Sequence, residues 1–496
     1  MNILVATGHL SEQTVKNAVK SKADVLVLDT DIAAFITPNK LLQAMKKEQM
    51  ESRYDIVFVP GIVSGDFTKI EKEMDCRVYL GPKHAYDLDF IIPFAENFEF
   101  SSVKPACELL SDVRRKKAME LIKGIEEVSS PVFNIGCLKI GGNSRMKVMG
   151  EIVNATGMDK FALVNKINTF IDKGADIIDL GVSLDTSPGE VTEAVKIAQD
   201  FSSVPVSIDT LDPELISNAL HSGVDIVLSL DSSNIDEVGC EVAENGTAAV
   251  VIPDVGISDD KKYESLVENI KSAQDSGITR IIADPVLDSI GYGIDESIIR
   301  YKKVREKFPD LPLFFGAGNV TELIDADSVG VNAALTGIAN DLGASILFTP
   351  ELSDKTQESI NELRTSSCMM LLASERKTPP KDLGLDLLIL KEKRRRPDAS
   401  IPYNIIQTKE SESWQLDPAG CFRIKIATNL NDSERCIVAE HEQTCIVGKT
   451  AREILDTILD MELVSTLEHA GYLGRELKKA ELALEFNRSY AQDDEF

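Results

Sequence analysis

The fold predicted for this chain is α/β: a central (β/α)8 TIM barrel with an N-terminal α/β domain before it and a small C-terminal α+β domain after it. Three observations predict it: apolar runs recur at about 25-residue intervals from residue 147 to residue 349, most have Asp, Asn, Ser or Gly at or beside their end, and helical stretches separate them. The expected strands are 147–154, 176–183, 205–210, 226–230, 248–255, 280–287, 312–318 and 344–349, with helices such as 160–173 and 213–222 between them.

Residues 1–128 read as a Rossmann-like unit. Runs at 2–7, 24–28, 55–60 and 77–80 are short, apolar and bounded by Gly, Asp or Pro, which predicts a four-stranded parallel sheet. No Gly-x-Gly-x-x-Gly fingerprint accompanies it. Residues 111–128, rich in Arg, Lys and Glu, predict a solvated connecting helix that Ser129-Ser130-Pro131 breaks. The barrel is expected over 129–352, a connector with one amphipathic helix and a strand at 385–390 over 353–411, and the C-terminal domain over 412–496, with strands at 420–427 and 436–441 and a long helical end. The basic run 391–396 reads as a solvated turn in so acidic a chain. Gly448-Lys449-Thr450 is no P-loop, since Gln443 stands where the first Gly is required. His469 reads as a buried helix residue against apolar neighbours.

A net charge of −28 argues against nonspecific nucleic-acid binding. The eight cysteines form no Cys-x-x-Cys pair, which argues against a structural zinc or iron–sulfur site and fits a reducing compartment. No apolar run approaches the roughly 20 residues that span a bilayer, and a strand occupies the place of a signal peptide, so a cytoplasmic protein without membrane contact is expected.

Catalytic groups of this fold sit at the C-terminal ends of the strands. Asn154, Asp185, Asp209, Ser229, Asp254, Asp284 and Asn319 occupy such ends. For any one of them a helix cap or turn role is an equal reading; the set is what informs. A carboxylate is acceptor-only and takes two N–H donors, so acids on strand ends suit a ligand with paired N–H groups.

The segments Met149-Gly150-Glu151-Ile152-Val153-Asn154-Ala155-Thr156, Gly174-Ala175-Asp176-Ile177-Ile178-Asp179-Leu180-Gly181, Pro205-Val206-Ser207-Ile208-Asp209-Thr210 and Asp284-Pro285 resemble, in order and spacing, the signatures of the pterin-binding family. That family includes dihydropteroate synthase and the methyltetrahydrofolate-dependent corrinoid methyltransferases. The resemblance covers about residues 132–350, and the flanking segments are similar to those of archaeal dihydropteroate synthase-related proteins. It implies that Asp209 and Asp284, with Ser229 and Asn319, bind a reduced pterin. It also implies that Asn154 lies near a substrate diphosphate and its Mg²⁺, a weak single-amide metal site without the phosphates.

The chain departs from the synthase pattern where cations are expected. Leu184-Asp185-Thr186-Ser187-Pro188-Gly189 replaces a loop with an Arg, Gly316-Ala317-Gly318-Asn319-Val320 replaces a run with an Arg-Lys pair, and Phe348-Thr349-Pro350-Glu351 replaces a closing Arg-x-His. Lys139, Arg145 and Lys147 lie before the first barrel strand, at the wrong end. The run Gly316 to Val320 is similar instead to the methyltransferase branch, where the matching Asn faces the methyl-bearing pterin nitrogen. An Asn expected near the end of strand four is absent; Ser229, Asp231 or Asn234 would have to replace it.

Three functions are expected from this resemblance. The first is condensation of a dihydropterin-methyl diphosphate with an arylamine in folate or tetrahydromethanopterin assembly; the catalytic candidates, whichever reaction holds, are Asn319 and Asp185. The second is methyl transfer from a methylated reduced pterin to a corrinoid or acceptor protein. The third is noncatalytic pterin carriage or sensing. A homodimer fits each of them.

Overall fold

The structure, a computed structural model, describes residues 1–391, 406, 408, 415–428, 435–442 and 444–495. Residues 392–396 of the basic run and Gln443 lie outside the described residues. The chain divides into two compact units, Met1–Lys391 and Glu392–Phe496.

The first unit opens with a parallel sheet of β1 (Ile3–Thr7), β2 (Asp24–Val27), β3 (Ile56–Val59) and β4 (Arg77–Leu80) in the order β2-β1-β3-β4. Alternate residues serve opposite faces, as the two-residue strand period requires. Leu4, Ala6, Val57, Val59, Val78 and Leu80 pack on one side, and Ile3, Val5, Ile56, Phe58 and Tyr79 on the other. Helix Ser111–Val128 follows, and then a hairpin absent from the sequence reading, β5 (Phe133–Ile135) with β6 (Leu138–Ile140). Its two three-residue strands are too short to show periodicity.

Eight parallel strands come next: β7 (Lys147–Ile152), β8 (Ile177–Gly181), β9 (Val206–Asp209), β10 (Ile226–Leu230), β11 (Ala248–Val251), β12 (Ile281–Ala283), β13 (Phe314–Phe315) and β14 (Ile346–Thr349). Their order is β12-β11-β10-β9-β8-β7-β14-β13, and a parallel bridge from Ala283 to Leu313 joins the two ends into a barrel. Met149, Ile177, Ile226, Leu228, Ala248, Val250, Ile282, Phe314 and Ile346 fill the inside, together with Ile135 and Ile140 of the hairpin. Val148, Ile152, Ile178, Leu180, Val206, Ile208 and their counterparts face the helices outside. Local signals set the helix ends: Ser187 and Glu190 form a capping box with Pro188 in the first turn of Pro188–Phe201, and Asp212 caps Pro213–His221.

Helix Ser359–Arg376 packs beside β7 and β14. The run 385–390 is not the strand its apolar composition predicts. Leu383 and Leu385 are buried against Ala118, Ile122, Cys368, Leu372 and Ala373 of two helices, so their burial comes from packing on helices without a neighbouring strand, while Leu388, Ile389 and Leu390 are exposed.

The second unit is an antiparallel sheet of β15 (Arg423–Thr428), β16 (Arg435–His441) and β17 (Thr444–Gly448), with helices Ala451–Asp460 and Leu467–Glu485 packed on it. Thr450 caps the first helix in a capping box with Glu453, so Gly448-Lys449-Thr450 is a strand end and a helix cap. No helix among the described residues is long and apolar enough to cross a membrane.

Candidate active site

Strand alternation turns odd-numbered residues of β7, β8 and β9 into the barrel, placing Glu151 above Met149, Asp179 above Ile177, and Asp209 above Ser207. The register pairs Glu151 with Asp179, Asp179 with Ser207, and Gly181 with Asp209. Oxygens of Glu151, Asp179 and Asp209 consequently lie within 4.8 Å of one another. A Cβ at Gly181 would stand 2.6 Å from Glu151 Oε1, so glycine there leaves the space that the carboxylate fills.

Three acids this close in a dry interior cannot all ionise cheaply. Burial pushes Glu151 up to about 7, with the charge of Asp209 adding to it. Burial pushes Asp209 up to about 6. Asp179, buried throughout, is raised well above the ordinary carboxylate range by desolvation and then by Asp209 and Glu151, against the lowering effect of the Ser207 hydroxyl that donates to it. Its Oδ2 has no hydrogen-bond partner among the described residues. The group therefore shares protons near neutral pH.

Asp284 follows Ala283 of β12 and is buried. It accepts the Val286 N–H at 2.7 Å and the Tyr301 hydroxyl at 3.2 Å, and burial pushes it up to about 6. Arg300 lies close by, but donates to the carbonyls of Pro285 and Val286 and to Asp288 at 2.5–2.7 Å, so its charge is already paired.

Asn319 is exposed in the short helix Gly318–Thr321, and its Nδ2 donates to Leu287 O at 3.0 Å. Ser229 is nearly buried, and its hydroxyl has no partner among the described residues. The two alternatives to Ser229 are otherwise engaged: Asp231 accepts from the N–H and hydroxyl of Ser233, and the Asn234 amide binds Ser229 O, Leu211 O and Asp231 N–H. Asp254 is also structural, accepting from Ser232 N–H and Asn269 Nδ2.

Asp185 is exposed at φ +61° in the loop after β8, and Asn154 is exposed at φ +56° in the loop after β7. These two loops are tied by Thr156, which accepts the Ser183 N–H at 2.9 Å and meets the Thr186 hydroxyl at 2.9 Å. Asn154 brings one amide and belongs to no cluster of acids among the described residues, so its surroundings do not fit a resident Mg²⁺.

Lys139 donates to the carbonyls of Glu126, Glu127 and Ser129, Arg145 to Asp176, and Lys147 to Glu126, all toward the strand starts. Glu151 and Asp179 lie within the motifs that carry the family resemblance, but a reading of strand-end residues does not single them out. The signal that identifies them is an acid at an inward strand position, legible once the alternation is tracked residue by residue.

Fold and site together define a (β/α)8-barrel protein with buried acids at its mouth. Residues 150–288 match the family described as pterin binding enzyme, and residues 416–493 match PterinBD-DUF4346. An uncharacterized protein of Methanocaldococcus jannaschii is 38% identical over 518 residues, covering 99% of this chain and 98% of its own. The chain belongs to the pterin-binding family, in one group with that archaeal relative. A dihydropteroate synthase of Clostridium beijerinckii is 27% identical over 197 residues, 34% of this chain and 68% of its own. The crystal structure of dihydropteroate synthase from Thermus thermophilus is 19% identical and covers 45% of this chain and 93% of its own, with a TM-score of 0.38.

Proposed function

We propose that this protein is a pterin-dependent transferase that holds a reduced pterin through Asp209 and Asp284 and moves a methyl group from it to a nucleophilic acceptor, a corrinoid or an acceptor protein. The observation that carries this reading is the acid group Glu151, Asp179 and Asp209, while Arg300 near Asp284 is paired with Asp288 and Arg145 and Lys147 are paired at the strand starts. A departing diphosphate needs cations or helix N-termini to stabilise its charge. Three carboxylates work against it. A methylated ring nitrogen has the opposite need: when its C–N bond breaks, the electron pair stays on nitrogen, and the ring departs as a neutral amine only if that nitrogen is protonated.

Glu151, raised to about 7, keeps a proton near neutral pH and is the proton source of the step, while Asp209, raised to about 6, stays mostly ionised there as an acceptor. Asn319, exposed beside Leu287, is the polar group we assign to the methyl-bearing nitrogen. Asp284 and Ser229 supply the remaining acceptors for the amino-pyrimidine edge, and Asp185 borders the mouth from its loop. The two carboxyls are the same groups whichever reaction follows, so pterin binding is the common ground of all readings.

Condensation of a dihydropterin-methyl diphosphate with an arylamine is the second reading, favoured by the 27% identity to a dihydropteroate synthase. Noncatalytic pterin carriage needs the same pocket and neither reaction. The test is paired. Purified protein is given N5-methyl-tetrahydrofolate and a reduced corrinoid, and separately the dihydropterin-methyl diphosphate with Mg²⁺ and 4-aminobenzoate. Methyl-corrinoid formation is expected in the first; amine-dependent pyrophosphate release in the second would establish condensation instead.

A further inference from the structure

The C-terminal unit contains a cavity of about 310 Å³ walled by His469, Phe422 and Tyr472, with Asp417, Cys421 and Asp493 at its edges. It forms where the first turn of helix Leu467–Glu485 meets the segment leading into β15. Thr466 caps that helix by accepting the His469 N–H. Asp417, with its side chain 1% exposed, is anchored on the same turn: it accepts N–H groups of Ala419, Ser465 and Thr466 at 2.9, 3.0 and 3.1 Å, the hydroxyls of Ser465 and Thr466, and His469 Nδ1 at 3.0 Å. His469 is therefore not merely packed against apolar neighbours, as its helix position predicted; a carboxylate 52 residues away orients its ring.

Burial alone pushes Asp417 up, but the Ser465 hydroxyl, the N–H groups of Ala419 and Ser465, and His469 hold it well below the ordinary carboxylate range. An ionised carboxylate only accepts, so Nδ1 carries a proton toward Asp417, and the neutral tautomer with that proton leaves the lone pair on Nε2. Nε2 has no hydrogen-bond partner among the described residues, and the ring lines the cavity.

Two of the cavity's donors are consumed. Tyr472 gives its hydroxyl hydrogen to Asp493 Oδ1 at 2.6 Å, and Gln492 gives its amide to Phe422 O at 3.1 Å and Tyr472 Oη at 2.8 Å. Two acceptors, His469 Nε2 and the second Asp493 oxygen, stand beside aromatic rings whose centroids lie 6.1 Å (Phe422) and 6.3 Å (Tyr472) from the imidazole. The Cys421 thiol also borders the cavity, but it is a weak donor.

We infer that this cavity binds a planar heteroaromatic amine, with one N–H donated to His469 Nε2, a second to Asp493, and the ring against Phe422 and Tyr472. The volume is enough for a bicyclic ring. An anion would meet a carboxylate and a lone pair with nothing to neutralise it. A metal ion is disfavoured because, among the described residues, no three ligating atoms of this cavity lie within 4.8 Å of one another. The site is separate in chemistry and in sequence from the barrel carboxylates, so it stands or falls independently of the reaction proposed for them.

Cys421 supplies the readout, since it is a free, exposed thiol at the cavity edge, while Cys137, Cys240 and Cys445 are exposed thiols outside its lining. The full chain is alkylated with iodoacetamide with and without 2-amino-4-hydroxypteridine, and each cysteine is followed by peptide mass spectrometry. The expected result is a severalfold slower reaction at Cys421 alone, undiminished in Asp209→Ala and abolished in His469→Phe. Asp493→Asn removes one acceptor without touching the helix turn, and is expected to weaken protection about tenfold in probe concentration. Unchanged Cys421 reactivity at millimolar probe, protection that disappears in Asp209→Ala, or equal protection by benzoate would each overturn the assignment.

Discussion

Glu151 and Asp179 stand opposite each other across the β7–β8 ladder, both turned into the barrel, with Asp209 one strand further on. Because folding raises the proton affinity of Glu151, the folded state binds more protons than the unfolded chain between its ordinary value of 4.5 and about 7. Stability from this group is thus fully present below pH 4.5 and is lost as pH rises through 7. The rise corresponds to roughly 3 kcal/mol. Glu151→Gln keeps the shape and removes the titration, so it should match the parent in thermal unfolding at pH 5 and exceed its stability at pH 8. Equal differences at both pH values would show that Glu151 is not held protonated.

The same titration bears on activity. If the acid group supplies the proton for methyl transfer, turnover should fall as pH rises above about 7, the value to which Glu151 is pushed, while pterin binding changes less. Comparing kcat and KM across pH 5.5 to 9, on the order of one point per half unit, separates the two. A kcat that rises steadily with pH would count against the acid group as the proton source.

Asp284→Asn and Asp209→Asn should each weaken pterin binding by about 100-fold, because an acceptor pair is replaced by an amide that turns a donor toward a donor. Asp254→Asn is the control. Its carboxylate serves Ser232 and Asn269, so the change should cost stability and leave affinity within about threefold. Fluorescence titration with a reduced pterin reads all three, and parent-like binding by both Asp209 and Asp284 variants would place the pocket elsewhere.

Most of the barrel was legible because its strands are apolar runs with polar residues or glycine following close behind, and because helix ends carry their own marks, such as Ser187 with Glu190 and Gly174 at φ +101°. Asp209 and Asp284 were legible for the same reason, as acids at strand ends. The meeting of Glu151 with Asp179 was not, since it depends on the register between neighbouring strands. The run 385–390 misled because its apolar side chains are mostly exposed: only Leu385 is buried, and that against helices rather than a neighbouring strand. The Asp417–His469 pair, 52 positions apart, leaves no periodic trace.

Gly316 protects the placement of Asn319. A Cβ there would stand 2.8 Å from Asn319 Nδ2, so Gly316→Ala must push the amide off its bond to Leu287 O. If Asn319 faces the methyl-bearing nitrogen, misplacing it should lower the transfer rate by about tenfold or more with little change in pterin affinity. Asn319→Ala should reproduce the effect. Matching losses in rate and affinity would instead make Asn319 a plain binding group.

At the opposite end of the barrel, Asp176 binds Arg145 through both oxygens at 2.7 Å, Arg364 at 2.7 Å and the Val148 N–H at 2.9 Å. The Arg145 side chain is only 4% exposed. Such a pair contributes little net energy when intact, yet removing one partner strands the other charge in a dry interior at a cost of about 3–5 kcal/mol. Asp176→Ala should therefore shift the urea midpoint strongly. Adding Arg145→Met to that variant removes the stranded charge and should restore part of the loss. Because these groups lie at the strand starts, pterin affinity of the folded fraction should be unchanged. A loss below about 1 kcal/mol would mean that water reaches the pair and screens it as it does a surface bridge.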